Sequence, residues 1–300
     1  MANTTTDLAL DPQLLSDLLN KVKGASALIQ LSNQTPIPFN GTKEYTFNLD
    51  KEIDVVAEAG KKTEGGMSFE PIIIKPIKVE YGARFSDEFL YATQEAHINF
   101  IKAFNDGFAK KLAKGIDLMA IHGLNPRTGK AATETIANNH FASKVTKSEA
   151  FDAKDPDGTI AKAIAKIQED DENPTGLIIG RELASALSEV TVDKEGKGVK
   201  RYPGLAWGGN PGSLNGIPTQ INNNIAFNNS NKLALIGDFA NAFKWGYTKQ
   251  IPLEIIKYGD PDNAGRDLKG YNQVYIRAEA YLGWGILDPK AFAFVSKNPS

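Results

Sequence analysis

The residues best able to do chemistry are scarce here. There is no cysteine among the 300 residues, and histidine occurs only at His97, His122 and His140. Without a thiol there is no thiolate nucleophile, disulfide, zinc–thiolate site or iron–sulfur ligand. A three-histidine metal site would need every histidine in the chain, and the three stand apart in sequence. The run Gly123-Leu124-Asn125-Pro126-Arg127-Thr128-Gly129-Lys130 approaches a phosphate-binding loop. Its glycines are six apart where the loop needs five, and Ala131 stands where Ser or Thr should meet magnesium. Gly208-Gly209-Asn210-Pro211-Gly212 neither follows a strand pattern nor opens a helix, so a dinucleotide loop is not expected there. Asp260, Asp262 and Gly265 match positions 1, 3 and 6 of a calcium loop, but Ala264 and Tyr271 occupy ligand positions 5 and 12. That segment reads as a surface turn. The acidic run Glu169-Asp170-Asp171-Glu172 reads as a solvated helix end, and the basic run from Lys194 to Arg201 as a solvated loop. No Gly-X-Ser-X-Gly elbow occurs. The expectation is a chain that is not an enzyme and carries no cofactor and no metal.

The elements that would position such residues are unusual in their order. Leu14, Leu15, Leu18 and Leu19 follow Asp11 at helical spacing, an amphipathic helix too short to stand alone. Residues 25–31 and Ile37-Pro38-Phe39 continue it as an extended arm. Tyr45, Phe47 and Leu49 alternate as a strand, and residues 69–85 form a second extended run in which Pro71 and Pro76 require an edge position. Between them lies the polar, glycine-rich DVVAEAGKKTEGGM, so the pair predicts a hairpin projecting from the body. Ser86 reads as an N-cap followed by Asp87 and Glu88 in a first turn. Apolar residues at three- and four-residue steps then run to Ile121, predicting one helix of about 35 residues, about 50 Å long. A second helix is expected over Thr159–Asp170, begun by Asp155 or Asp157. Beyond Pro174 come a buried strand at 176–180, a short helix at 181–190, a long glycine-rich loop at 193–216, and strands to the end.

Composition bounds the function. Hydrophobic residues make up 41% and charged residues 23%, as in a folded, soluble chain. Lys+Arg is 34 against Asp+Glu 36, a net charge of -2, which argues against a protein that works by neutralising nucleic acid. The N-terminus has no basic or apolar region of a secretory signal, and no window approaches the ~18 uninterrupted apolar residues of a membrane span. The chain is expected to fold in a cytoplasm. The limbs are the main anomaly. An arm and a ribbon that bury little of themselves imply neighbours.

The order of these parts resembles tailed-bacteriophage major capsid proteins. The resemblance is carried by Val55-Val56-Ala57-Glu58, Ser68-Phe69 and Ser86-Asp87-Glu88-Phe89. It extends through His122-Gly123-Leu124-Asn125-Pro126, Gly176-Leu177-Ile178-Ile179-Gly180, residues 193–196, Leu214 to Pro218, and Ile236 to Phe239. It implies an α+β, Hong Kong 97-type capsid fold. The parts would be an N-terminal arm (1–42), an extended loop with its base strands (43–85), a peripheral domain with the spine helix (86–172), an axial domain (173–270), and strands returning to the peripheral domain (271–300). It implies that the chain assembles with itself, as pentamers and hexamers, into an icosahedral head shell enclosing double-stranded DNA without sequence-specific binding. Portal and scaffolding proteins are the implied partners, with decoration proteins in some members, and no membrane. Because the arm starts about 40 residues before the extended loop and the chain opens with Met, no large cleaved segment is expected within it. The expected inter-subunit contacts are Leu14, Leu15, Leu18, Val55, Val56, Glu58, Lys61, Lys62, Trp207 and Asn210. Some members weld their shells by isopeptide bonds. By position, Lys62 matches the lysine, Asn272 the asparagine and Glu279 the proton acceptor. Asn272 and Glu279 are an odd number of residues apart, on opposite faces of a regular strand, so a bulge or contributions from different subunits would be needed. An encapsulin-type nanocompartment shell, which shares the fold, and a two-domain enzyme with glycine-rich lid loops are the alternatives. The first is separated by nucleic acid in purified particles, the second by particle size.

Overall fold

The computed structural model describes residues 21–22, 26–49, 51–88, 94–132, 136–192, 198–249 and 253–297. The expectations for Leu14, Leu15, Leu18, Phe89, Leu90 and 193–196 lie outside these residues.

The hairpin forms as its alternation predicts. β1 (Thr42–Leu49) pairs antiparallel with β2 (Met67–Ile74), from Thr42↔Ile74 to Leu49↔Met67. Pro71 lies opposite Tyr45 in this two-stranded ribbon, where every strand is an edge. The second extended run does not continue as one strand. Lys75-Pro76 interrupts it, and β3 (Ile77–Ser86) enters a different sheet. There β3 pairs with β11 (Gln273–Ile286) over ten residues, from Ser86↔Gln273 to Ile77↔Leu282. The other side of β11 carries β9 (Phe243–Lys249) and β10 (Leu253–Ile256).

One local expectation needs correction. Residues 27–31 are not extended: α1 (Ala27–Leu31) is a short helix whose N-cap, Ser26, accepts from the Ile29 N–H. Ser86, expected to cap the long helix, stands before residues 89–93, which lie outside the described residues. It ends β3, its hydroxyl accepts from the Glu88 N–H at 3.3 Å, and the Asp87 N–H donates to the Asn272 carbonyl at 2.9 Å. A serine followed by two acids serves a strand-ending turn as readily as a helix start. The spine helix as described is α2 (Gln94–His122), 29 residues or about 44 Å. Ile101, Phe108, Leu112, Ile116 and Met119 on its inner face are buried. It stops at Gly123, whose φ of +68° suits glycine. A Cβ there would lie 2.3 Å from the His140 ring.

The second sheet has six strands in the order β4 (Ser148–Ala150), β12 (Phe292–Ser296), β8 (Lys232–Gly237), β5 (Gly176–Ile179), β7 (Ile217–Ile221) and β6 (Ser213–Leu214). A short helix α3 (Phe141–Lys144) precedes it. On it pack α4 (Pro156–Gln168), begun by Asp155 accepting from the Gly158 N–H at 2.9 Å, and α5 (Arg181–Glu189). α4 starts three residues before the expected Thr159, because proline at N1 extends a helix toward its cap. The glycine-rich stretch expected as loop at 193–216 contains the 3-10 segment Pro203–Gly208 and β6. Strand partners run across the segment boundaries at 172/173 and 270/271: β4, from before 173, and β12, from after 270, share the sheet with β5 and β8. Between the sheets the core is aromatic, with Phe141 packed on Phe239, Phe243 and Phe292 at 4.9–6.2 Å between ring centres.

Candidate assembly surfaces

The hairpin end is the first surface. Every residue from 51 to 67 is exposed. Among them Ile53 and Val55 are 97% and 94% accessible, so water holds apolar groups that folding of this chain alone leaves uncovered. Val56, Glu58, Lys61 and Lys62 share this exposed end. Ala59 turns the chain with a φ of +64°, and the Gly60 N–H closes on the Ala57 carbonyl at 2.8 Å.

The second surface is the loop carrying Trp207 and Asn210. Trp207 is fully exposed and has a φ of +59°, while its neighbour Leu205 is buried. Asn210 holds the loop by accepting from the Gly212 N–H at 3.3 Å and donating to Gln220 Oε1 at 3.4 Å.

The third is the seat of the arm. Asp117, in the last two turns of α2, has no exposed surface. It accepts from Ser26 Oγ (2.6 Å), the N–H groups of Ala27 (3.3 Å) and Leu28 (3.4 Å), and the amides of Asn222 (2.8 Å) and Asn224 (2.9 Å). Burial pushes its carboxyl up from the ordinary range, and the hydroxyl, amide and backbone donors pull the other way. Farther along, the Thr35 N–H donates to the Trp245 carbonyl at 2.8 Å. A Cβ on Gly246 would lie 1.7 Å from the Thr35 carbonyl oxygen. Gly283, directly opposite Gly246 in the ladder, and Gly285 likewise leave room for Lys75 and Ile74 at the hairpin base. The arm and the ribbon are therefore laid on bare backbone. Sequence reading missed this seat. Its one local signal is Asp117, a lone charge inside the apolar run Ile116–Ile121.

The expected weld residues do not meet within one chain. Lys62 is at the exposed hairpin end. Asn272 is in the turn before β11 with a φ of +52°, and Glu279 is seven residues on, roughly 23 Å at 3.3 Å per residue. Glu279 pairs with Lys78 at 2.8 Å and Arg277 at 3.3 Å.

The turn at 260–265 lies at the surface, as expected, and is also bound to β3. Arg84 Nε donates to both oxygens of Asp262 (2.9 and 3.0 Å), and its Nη2 reaches Asp260 and the Arg266 carbonyl. The Arg84 guanidinium holds the Asp262 carboxyl below its ordinary value. The acidic run is not merely solvated either, since Lys147 pairs with Asp170 at 2.6 Å and holds its carboxyl down. His122 and His140 are structural. His122 Nε2 lies 2.9 Å from the Asn224 carbonyl, and His140 Nδ1 accepts from the Ser143 N–H at 3.2 Å; burial lowers both. His97 lies on α2. Among the described residues no group of three or more His, Asp and Glu could hold a metal ion, and no helix is long and apolar enough to cross a membrane.

The comparisons agree with this architecture. No curated protein matches the sequence. A solved chain of Mycobacterium phage Ogopogo is 30% identical, with a TM-score of 0.74 over 91% of this chain and 92% of that one. A chain of Gordonia phage Cozz is 23% identical, with a TM-score of 0.73 over 90% and 86%. The capsid of an empty GTA particle computed with C5 symmetry is 15% identical, with a TM-score of 0.62 over 91% and 90%, a likeness of fold. The mixed helix-and-sheet fold is thus the Hong Kong 97-type expected, and the sequence matches the Phage capsid family over residues 7–297. The chain belongs to that family and is a structural protein of a phage head shell.

Proposed function

We propose that the shell is closed by the limbs each subunit extends: the arm, the hairpin at 43–85 and the Trp207 loop. The observation that carries this reading is the hairpin. Seventeen consecutive residues, 51–67, are exposed, including Ile53, Val55 and Met67, and a two-stranded ribbon of this kind is marginal without a partner surface. Laid over a neighbour, Val55, Val56, Glu58, Lys61 and Lys62 gain that surface. The lobe built on the six-stranded sheet acts as the axial domain, gathering in fives and sixes, and the sheet of β3 and β9–β11 with α2 forms the peripheral domain.

The shell encloses double-stranded DNA rather than gripping it, in keeping with a net charge of -2. Portal, scaffolding and decoration proteins are its further partners, and assembly takes place in the bacterial host cytoplasm. The chain performs no catalysis on a substrate. With Glu279 already engaged by Lys78 and Arg277, the shell is held without a Lys62–Asn272 weld.

The test is assembly. Purified wild-type protein is expected to form megadalton closed particles containing DNA by negative-stain microscopy and light scattering. Replacing residues 51–66 with a short turn is expected to leave a folded subunit that forms none. Shells that form normally without the hairpin end would refute the reading. Particles holding a protein cargo and no nucleic acid would point to a nanocompartment, and a stable monomer to neither.

A further inference from the structure

We propose that Trp207 of one copy seats in an apolar pocket on the same lobe of the adjacent copy, so that a ring of subunits closes knob into hole. This rests on the reading of the chain as a shell subunit and names the contact that reading leaves open.

The knob is built to project. The segment Pro203–Gly208 is anchored by Tyr202 and Leu205, both buried against α5 and its neighbours, while Trp207 is fully exposed. Its left-handed backbone is a conformation that residues with a Cβ avoid unless the surroundings impose it. The other tryptophans, Trp245 and Trp284, are buried in the core. A single indole held outward on an anchored loop is the side chain most often found at the centre of a protein interface.

The hole lies beside it on the lobe. A cavity of about 310 Å³ opens between α4, α5 and β6–β7, walled by Ile160, Ile164, Leu187 and Leu214. That is at the small end of the ~300–1,000 Å³ range of ligand pockets, with room to spare for one bicyclic side chain. Its polar groups are largely committed to one another: Asp157 accepts from Tyr202 Oη at 2.6 Å and pairs with Arg201 at 2.6 Å, and Asn215 donates to Tyr202 Oη at 2.9 Å. Asp155, exposed in this chain, caps α4 through Oδ1 and brings its carboxylate to the pocket's lining. Apolar walls with one acceptor at the edge suit an indole, whose ring is apolar and whose N–H needs a partner when buried. Trp207 is exposed and does not line this pocket in its own chain, so the proposed occupant is the indole of another copy. A knob and a hole that differ permit a head-to-tail contact, the type that closes into rings, and this is the arrangement proposed.

The test uses the two features that isolate Trp207. Because Trp245 and Trp284 are already buried, the change in tryptophan fluorescence on assembly reports Trp207. A blue shift and several-fold weaker acrylamide quenching are expected in intact shells relative to dissociated subunits. Because the chain has no cysteine, the pair Trp207→Cys and Ala161→Cys can be placed without background. Ala161 lines the pocket mouth and is exposed, so its replacement leaves the core alone. Mosaic shells of wild-type and double-variant subunits, mildly oxidised, should give inter-subunit disulfide multimers on a non-reducing gel. Intact shells in which Trp207 stays as quenchable as in the subunit, or oxidised mosaic shells running only as monomer, would overturn the proposal and leave the shell reading standing. Failure of wild-type protein to form particles would overturn both, and microscopy distinguishes the cases.

Discussion

Ser26 Oγ and Asp117 Oδ1 stand 2.6 Å apart across 91 residues of sequence, and this contact fixes the arm to the spine helix. It is one of five donor contacts converging on a carboxylate with no exposed surface. Replacing Asp117 with alanine strands the Ser26 hydroxyl and the amides of Asn222 and Asn224 in the core. A loss on the order of 3–5 kcal/mol is expected, the range for breaking a buried charged network. Denaturant unfolding should show the loss, and limited proteolysis should cut residues 26–41 faster in the variant. An unchanged midpoint and cleavage pattern would mean the arm is held by its apolar contacts alone.

Gly246 is the second anchor. A methyl group there would lie 1.7 Å from the Thr35 carbonyl, closer than real side chains ever pack. Gly246→Ala is expected to lift the strand carrying Thr35 off β9 at a cost of about 1–3 kcal/mol. The drop in melting temperature should exceed that of an alanine placed at Gly270, where a Cβ meets open space.

The two buried histidines set a pH dependence. Burial lowers both His122 and His140, so the folded chain prefers them neutral. Such groups contribute their stability fully above the unfolded value of about 6.5, and it is lost as pH falls below that toward their folded values. Protonation would also remove the Nδ1 lone pair with which His140 accepts from Ser143. Stability should therefore fall between pH 7 and pH 5, and a His122→Gln, His140→Asn double variant should flatten that decline. A wild-type curve that is flat across this window contradicts the assignment.

Acid strips a different set of contacts lower down. Arg84 depresses Asp262, and Lys147 depresses Asp170, so these pairs contribute above the ordinary carboxylate value near 3.8 and are lost as pH falls below it. Arg84→Met should reduce the stability difference between pH 5 and pH 3 and increase proteolytic cutting within 258–272. Equal cutting in both proteins would mean the turn holds without Arg84.

A boiled-particle gel examines the weld. Denatured shells are expected to run as one band near 32.5 kDa. A ladder of multimers that disappears in Lys62→Arg would establish the covalent bond and overturn the non-covalent reading.

What was legible in the sequence was what short range decides. Alternation at Tyr45, Phe47 and Leu49 specified β1, and Asp155 was one of the two caps expected for α4, whose first residue lies three before the expected Thr159. The three- and four-residue steps from Ile101 to Met119 specified the spine. Ser86 also ends β3, a role that only the ladder to Gln273 reveals. Residues 27–31 read as extended because five residues are too few for periodicity, and the helix exists where Ser26 and Asp117 cap it. The tie from Arg84 to Asp260 and Asp262 was not legible because these residues are 176 and 178 positions away from it. The glycine strip was invisible for the same reason. A glycine demanded by another segment's backbone resembles any other glycine until that segment is in place.

The break at Lys75-Pro76 turns the ribbon into a lever. Its paired part alone is eight residues, about 26 Å long, so a tilt of roughly ten degrees at the base carries its far end through about 4–5 Å. The body on which it pivots, clamped by the ten-residue ladder of β3 and β11, need not change. One sequence would thus reach partners set at slightly different inclinations, with the adjustment taken up at the ribbon's base, at Lys75-Pro76 and the Gly41 turn, rather than within either sheet.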